Sequence, residues 1–339
     1  MTLSHSSTRL AYGSAALAVL GLLQACGGGG AATDSGTTPS TGSVVSEANG
    51  PALAGATYAA LFPIFDLSNT RLDLLTTNDP TPRSEQATAL SLVLQQLWAL
   101  KGLSNAQWVA RVSSPQVQSC TYFGAASGSI TITSTDTNAN GILDAGDSVR
   151  AQYSSCYHGN VPVQGSFTLR LNTLTQTNTQ LDASVSVQFT SLVGAGAQTG
   201  DSVSGDLSLV ASINSATPSI TAQVQGSALA VNEGSKTSTL GSYTGSVAIS
   251  TGAAYTTSVS GTIASSLYTG TYALTTPTAH TGVVGASATA GAWRLIGSTS
   301  GSMVMIALGT SGMRLTVDAN RDGTLDSDQT LSWTQWAAL

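Results

Sequence analysis

From Gly128 to the C-terminus, apolar and polar residues alternate with a period of two. Val185, Val187 and Phe189 interleave with Ser184, Ser186, Gln188 and Thr190. Ile130 and Ile132 do the same with Thr131 and Thr133, and Leu207 and Leu209 with Ser208. Such a period sends successive side chains to opposite faces of a β-strand. Similar segments recur near 220–224, 228–231, 243–249, 259–263, 303–306 and 313–317. Turn clusters separate them, among them Gly194-Ala195-Gly196, Asn232-Glu233-Gly234 and Gly309-Thr310-Ser311-Gly312. No long helical pattern interrupts the series, so hairpin connections rather than crossovers are expected. The predicted fold class is mainly β, an antiparallel meander forming a sandwich or partly open barrel, with a short N-terminal helical segment packed on it.

Upstream the period lengthens. Leu90, Val93, Leu94, Leu97, Trp98 and Leu100 fall close to i, i+3, i+4, i+7 spacing. Thr81-Pro82 predicts the helix start, with Glu85 in its first turn, and Gly102 predicts its stop. A second piece, Asn105 to Val112 with Trp108, is expected to be helical up to Pro115. The Leu/Trp stripe is expected to pack on the core rather than to form a groove for a partner or lipid. Gly27 to about Gly55 carries Gly, Ser, Thr, Ala and Pro with almost no large apolar residue, and so predicts a flexible tether. About 27 such residues span roughly 30 Å.

The N-terminus adds a location. Met1 to Arg9 is polar and lacks acidic residues, and Leu10 to Leu23 is apolar. That run is shorter than the ~20 residues a membrane-spanning helix needs and has the length of a signal h-region. It ends in Leu23-Gln24-Ala25-Cys26, which resembles the lipobox of bacterial lipoproteins. The resemblance implies cleavage before Cys26, acylation of its thiol and new amine, and anchoring in the membrane by several chains. Gly27 after the cysteine fits export to the outer membrane. A plain secretory signal with a chance cysteine is the alternative. The expected organisation is a signal peptide over 1–25, lipidated Cys26 and linker over 26–55, a mostly helical segment over 56–118, and an antiparallel β domain over 119–339. Beyond the lipobox, the chain resembles β-rich proteobacterial lipoproteins that carry a glycine run after the cysteine, a resemblance that implies no activity.

Charge narrows the partners. Asp and Glu number 17 against 11 Lys and Arg, and charged residues make up only 8% of the chain. The scattered arginines form no basic face, so nucleic-acid binding is not expected. With Cys26 lipidated, Cys120 and Cys156 remain, and in an oxidising compartment they are expected to pair. The chain-entropy model gives such a bridge roughly 3.8 kcal/mol for a loop of about 37 residues. Free thiols are the alternative.

One motif points to a metal. Asp136-Thr137-Asn138-Ala139-Asn140-Gly141-Ile142-Leu143-Asp144-Ala145-Gly146-Asp147 matches D-x-[DN]-x-[DN]-G-x₅-[DE]. It resembles the calcium loops of EF-hands and, more closely, of dockerins. The resemblance implies ligation by Asp136, Asn138, Asn140, the Ile142 carbonyl, Asp144 and a closing Asp147, because calcium takes six to eight oxygens. The flanking segments alternate like strands, so the loop is expected at a hairpin tip rather than between helices. An Asx-rich turn that binds nothing is the alternative. A second copy runs from Asp318 through Asn320, Asp322, Thr324 and Asp326. There Gln329 stands where the closing carboxylate belongs, and Asp328 lies one residue early.

No catalytic constellation accompanies these loops. His158 and His280 lie in turn-like stretches, no G-x-S-x-G, H-E-x-x-H or P-loop pattern occurs, and Glu47, Glu85 and Glu233 are isolated. Gly200-Asp201-Ser202 invites a hydrolase reading, but such a tripeptide is expected by chance in a Gly/Ser-rich chain. Trp333 and Trp336 are expected to be buried against the sheet, with stacking on sugar rings as the alternative. The expected role is non-enzymatic: a lipid-anchored envelope protein that is structural, adhesive or ligand-binding, with calcium as its expected cofactor, the membrane as its partner through the anchor, and no protein or glycan partner specified by the sequence. A carrier or assembly factor for lipids or outer-membrane components is the rival and would need an apolar cavity. A secreted hydrolase is the third reading and would need acidic residues converging in a cleft.

Overall fold

A computed structural model describes residues 42–67, 87–122, 125–158, 161–198, 200–336 and 339. Fourteen strands form one sheet in sequence order, each antiparallel to its neighbours. They are β1 Gln116–Tyr122, β2 Ala125–Thr135, β3 Ser148–His158, β4 Val161–Gln176, β5 Gln180–Val193, β6 Ser202–Asn214 and β7 Ser219–Glu233. The series continues with β8 Lys236–Ile249, β9 Ala254–Ser265, β10 Tyr268–Val283, β11 Ala290–Ile296, β12 Ser302–Ala307, β13 Met313–Asp318 and β14 Ser327–Leu331. The sheet does not close, since β1 and β14 stand at opposite ends of the order. The meander expected from the alternation is therefore present as a single open sheet. In β5, Leu181, Val185, Val187 and Phe189 are buried while Gln188 and Thr190 are exposed, as the period of two requires.

Among the described residues, four α-helices accompany the sheet: α1 Gly50–Phe65, α2 Ala89–Leu100, α3 Asn105–Ser113 and the short α4 Trp333–Trp336. The helix α1 touches β7, β8, β9 and β13. On a flat sheet, six strand spacings of about 4.8 Å would separate β7 from β13 by roughly 29 Å. A helix only about 10–12 Å across meets both only if the sheet curls around it. Leu53, Ala60, Leu61, Ile64 and Phe65 of α1 accordingly join the strand residues in one core.

The tether expected to run to Gly55 ends earlier. Ser43 and Val45 are buried, and Gly50 already begins α1. The Ser43 hydroxyl donates to the Thr271 carbonyl at 2.7 Å, and the Val45 amide donates to the Ser300 carbonyl at 3.0 Å. This strap pins the chain to β10 and to the turn after β11. Small residues made the stretch resemble a linker. Their small size instead allows close packing, since a Cβ on Gly55 would lie 2.9 Å from Leu339.

The helical stripe packs on the core as expected. Leu90, Val93, Leu94, Leu97 and Leu100 are buried, and the Lys101 ammonium lies 4.2 Å from the centre of the Trp98 ring. Thr88 caps α2: its hydroxyl accepts from the Ser91 amide at 3.2 Å while Ser91 Oγ accepts from the Thr88 amide at 3.0 Å. The expected start at Thr81-Pro82, with Glu85, lies outside the described residues. Gly102, in the left-handed region at φ 74°, follows the helix end as expected. Ser104 caps α3, whose Trp108 is fully buried.

Candidate functional site

Both Asp/Asn loops lie at hairpin tips. The first joins β2 to β3, whose last register pair is Thr135 with Ser148. The second joins β13 to β14, where Val317 pairs with Ser327.

In the first loop the side chains fold over their own backbone. Asp136 accepts from the Gly141 amide at 2.7 Å and the Asn140 amide at 3.3 Å. Asn138 Oδ1 accepts from the Asn140 amide at 3.1 Å, and Asn140 Oδ1 from the Ile142 amide at 2.7 Å. The Nδ2 groups of Asn138 and Asn140 both donate to Asp144, at 3.2 and 2.7 Å. Asp136, Asn138, Asn140 and Asp144 thus form one connected cluster. Asp147 does not point the same way. It is fully buried and accepts from the amides of Thr137 and Asp144, both at 3.0 Å. It closes the base of the hairpin.

The second loop repeats the first half of this geometry. Ala139 and Gly141 have φ of 57° and 72°, and their counterparts Arg321 and Gly323 have 61° and 86°. Asp318 accepts from the Gly323 amide at 3.1 Å, Asn320 from the Asp322 amide at 3.0 Å, and Asp322 from the Thr324 amide at 2.7 Å. That bond from Thr324, together with Asn320, holds the Asp322 carboxyl below the usual carboxylate range. Asp318 Oδ1 is buried without a hydrogen-bond partner. Asp326 accepts from the Ala319 amide at 2.7 Å, the role that Asp147 plays toward Thr137.

Asp328 is therefore a correction to the ligand set read from spacing. It belongs to β14, opposite Thr316, and its carboxylate takes a forked contact from Arg314 at 2.8 and 2.6 Å. The Arg314 guanidinium pulls its pKa below the usual value. Gln329 likewise sits in the ladder, opposite Leu315. Counting from Asp318 assumed a loop as long as the first, but the ladder closes earlier.

Other sequence candidates fall as follows. Cys26 lies outside the described residues. Cys120 and Cys156 are joined, with Cα atoms 5.4 Å apart. Asp201 is buried and accepts from the Gln198 amide at 2.7 Å, and burial pushes its pKa up. Burial raises that of Glu233 too, and the Asp201 charge adds to it, so the sheet brings Glu233, which looked isolated, near Asp201. Trp336 is buried, as expected, while Trp333 is half-buried and donates to the Gly309 carbonyl at 2.8 Å.

Among the described residues, no three His, Cys, Asp or Glu side chains group closely enough to hold a metal ion by themselves. A cation at either tip would draw on Asn and backbone oxygens as well. Comparison with protein-family models, with curated proteins and with solved structures finds no match for this chain.

Proposed function

We propose that the protein is a lipid-anchored, non-enzymatic component of the outer membrane, with a structural, adhesive or ligand-binding role. The observation that carries this reading is the filled inner face of the sheet. The helix α1 is buried on almost every side, and the space left near its C-terminal end is a cavity of about 20 Å³. A groove between β4 and β7, with about 240 Å³, is lined by Thr173, Asp182, Val210, Ser212 and Gln223 among others. Small-molecule pockets usually hold about 300–1,000 Å³. A carrier of lipids would need an apolar cavity where α1 sits.

Face polarity supports an anchored protein over an integral barrel. A transmembrane barrel turns an apolar band outward. Here Val185, Val187 and Phe189 face inward and Gln188 and Thr190 outward.

Calcium is proposed as a structural ligand of the hairpin tips. Oxygen-bearing side chains already converge at Asp136, Asn138, Asn140 and Asp144, which suits a hard cation. The unpartnered Asp318 Oδ1 gives the second loop a free acceptor as well. Bound there, the ion would cross-link the two halves of each tip.

The test is metabolic labelling with a fatty acid and membrane fractionation of wild type and Cys26→Ser. Wild type is expected to be labelled and membrane-bound, and the variant unlabelled. Soluble, unlabelled wild type would overturn the anchor. Stoichiometric lipid retained by the purified protein in native mass spectrometry would favour the carrier.

A further inference from the structure

The strap that precedes α1 meets the sheet at one end. Ser43 Oγ donates to the Thr271 carbonyl near the start of β10. In the turn after β11, the Ser298 amide donates to Ser43 Oγ at 2.7 Å and the Thr299 amide to the Ser43 carbonyl at 2.9 Å. The second Asp/Asn loop is tied to that same turn. The Arg321 guanidinium donates to the Gly297 carbonyl and, at 3.1 Å, to that of Gly301. Consecutive strands are antiparallel, so the β9–β10 turn, the β11–β12 turn and the β13–β14 loop share one end of the sheet. The first loop, between β2 and β3, lies at the other end.

Both ends expose apolar side chains. At the strap end these are Val44 (38% exposed), Leu267 (44%) in the β9–β10 turn and Leu325 (49%) in the second loop. Tyr268 is half-buried beside Leu267. At the other end Ile142, Val283 and Leu308 are exposed to a similar degree. Apolar area therefore does not choose between the ends, and the path of the chain does. Cys26 and Gly42, the first described residue, are 16 positions apart (26 to 42), and so no more than about 55 Å apart. Strands such as β8, with 14 residues, are up to about 45 Å long. An anchor at Cys26 lets the strap end lie on the bilayer with slack to spare. Turning the opposite end to the bilayer would use up most of that reach in running back along the strands.

We infer that the strap end of the sheet docks on the phospholipid surface. Val44, Leu267 and Leu325 enter the headgroup region, and Tyr268 lies at its boundary, where a ring with a polar tip is favoured. The charges at this end are mixed, with Lys236 and Arg321 exposed alongside Asp322 and Asp326. Anionic lipid is recognised by clusters of about four to eight basic residues, so this end fits zwitterionic headgroups instead. A weak contact suffices, because the anchor makes docking an intramolecular step at high effective concentration. The first loop, at the far end, is then presented away from the membrane. The docking rests on the proposed acylation of Cys26, which its test reads separately.

The test uses the acylated full-length protein in phosphatidylcholine vesicles that contain a nitroxide lipid at headgroup depth. Cys120 and Cys156 are joined and acylation blocks Cys26, so Leu325→Cys or Val283→Cys supplies a single thiol for a fluorescent label. The Leu325 label is expected to be quenched several-fold more than the Val283 label. A label at Leu267→Cys is expected to be quenched too, and to lose most of that quenching when Val44→Ser and Leu325→Ser are added. Equal quenching at the two ends, or more at Val283, overturns the docking surface. So does quenching that the two serine substitutions leave unchanged, or quenching that rises when half the lipid is phosphatidylglycerol. In each of these cases an acyl mass on Cys26 leaves the anchor standing. Absence of that mass overturns the anchor and the docking with it.

Discussion

The two hairpin-tip loops share a motif and part company at the residue that closes them. Each begins with an aspartate bonded to the amide of a left-handed glycine, Asp136 with Gly141 and Asp318 with Gly323. In the first, closure falls to Asp147, buried and holding two amides. The base of that loop is also stitched to β4: the Gly146 amide donates to the Leu171 carbonyl, and the Leu171 amide to the Asp147 carbonyl, both at 2.8 Å. In the second, closure falls to Asp326, exposed and holding one side-chain bond to the Ala319 amide. The difference follows from neighbours. The first loop is stitched to a flanking strand by backbone bonds, while the second, in the β13–β14 hairpin, reaches the turn after β11 through the Arg321 side chain, which donates to the Gly297 and Gly301 carbonyls. The same local chemistry is thus a core element at one tip and a surface turn at the other.

The strongest way to break this comparison is to remove the closing carboxylates. Asp147→Ala removes a buried carboxylate and leaves two part-buried amides unpaired, and is expected to cost about 2–4 kcal/mol. Asp326→Ala is expected to cost about 1 kcal/mol, since water reaches its site. Urea unfolding of both variants measures the pair, and equal losses would mean that burial does not separate the loops.

Calcium sharpens the comparison next. An extracellular-type affinity of about 10⁻⁴–10⁻³ M gives roughly 0.4–1.4 kcal/mol of stabilisation at about 1 mM calcium, with magnesium giving less. Thermal melting in EDTA, calcium and magnesium reads this directly. Asp136→Ala should remove most of the first loop's share and Asp318→Ala that of the second, and a midpoint unmoved by calcium would reduce both loops to turns.

Smaller still is the Arg314–Asp328 pair, 38% and 43% exposed on its two sides. Arg314→Gln is expected to cost about 0.2–1 kcal/mol, less in high salt. A loss well above that would return Asp328 to an organising role in the loop.

The smallest effect is a titration. The carboxyls of Asp322 and Asp328 are held low, by the Thr324 amide and by Arg314 respectively. A depressed carboxyl supports the fold above its unfolded value, ~3.9, and loses that support as pH falls through the lower folded value. Carbon-detected NMR should therefore find both midpoints below 3.9. Ordinary midpoints would mean that the bonds at the second tip do not persist in solution.

Much of the sheet was legible because alternation is a local signal. Val185, Val187 and Phe189 announce their inward face within one strand, and Leu90 to Leu100 announce a helix within three turns. The helix α1 was only partly legible: a mostly helical segment was expected from 56, but not its start at Gly50, because burial on almost every side erases the polar face that marks a helical period. Gly50 to Gly55 then read as linker, although close packing is what their size permits. The start of the first loop was legible from Asp136 to Gly141, whereas the place of Asp328 was not. Spacing rules assume a loop length, and loop length is set by where the ladder resumes.

Residue order alone determined the strands, the hairpin turns, the Asx-rich tips and the cysteine pair, because each depends on neighbours in the chain or on simple pairing. Tertiary structure alone decided that α1 fills the sheet, that Asp326 and not Asp328 closes the second loop, and that His280 meets Trp293. Those outcomes depend on how far the sheet curls and on which strands resume pairing, and both follow from packing around a helix that carries no periodic mark of its own.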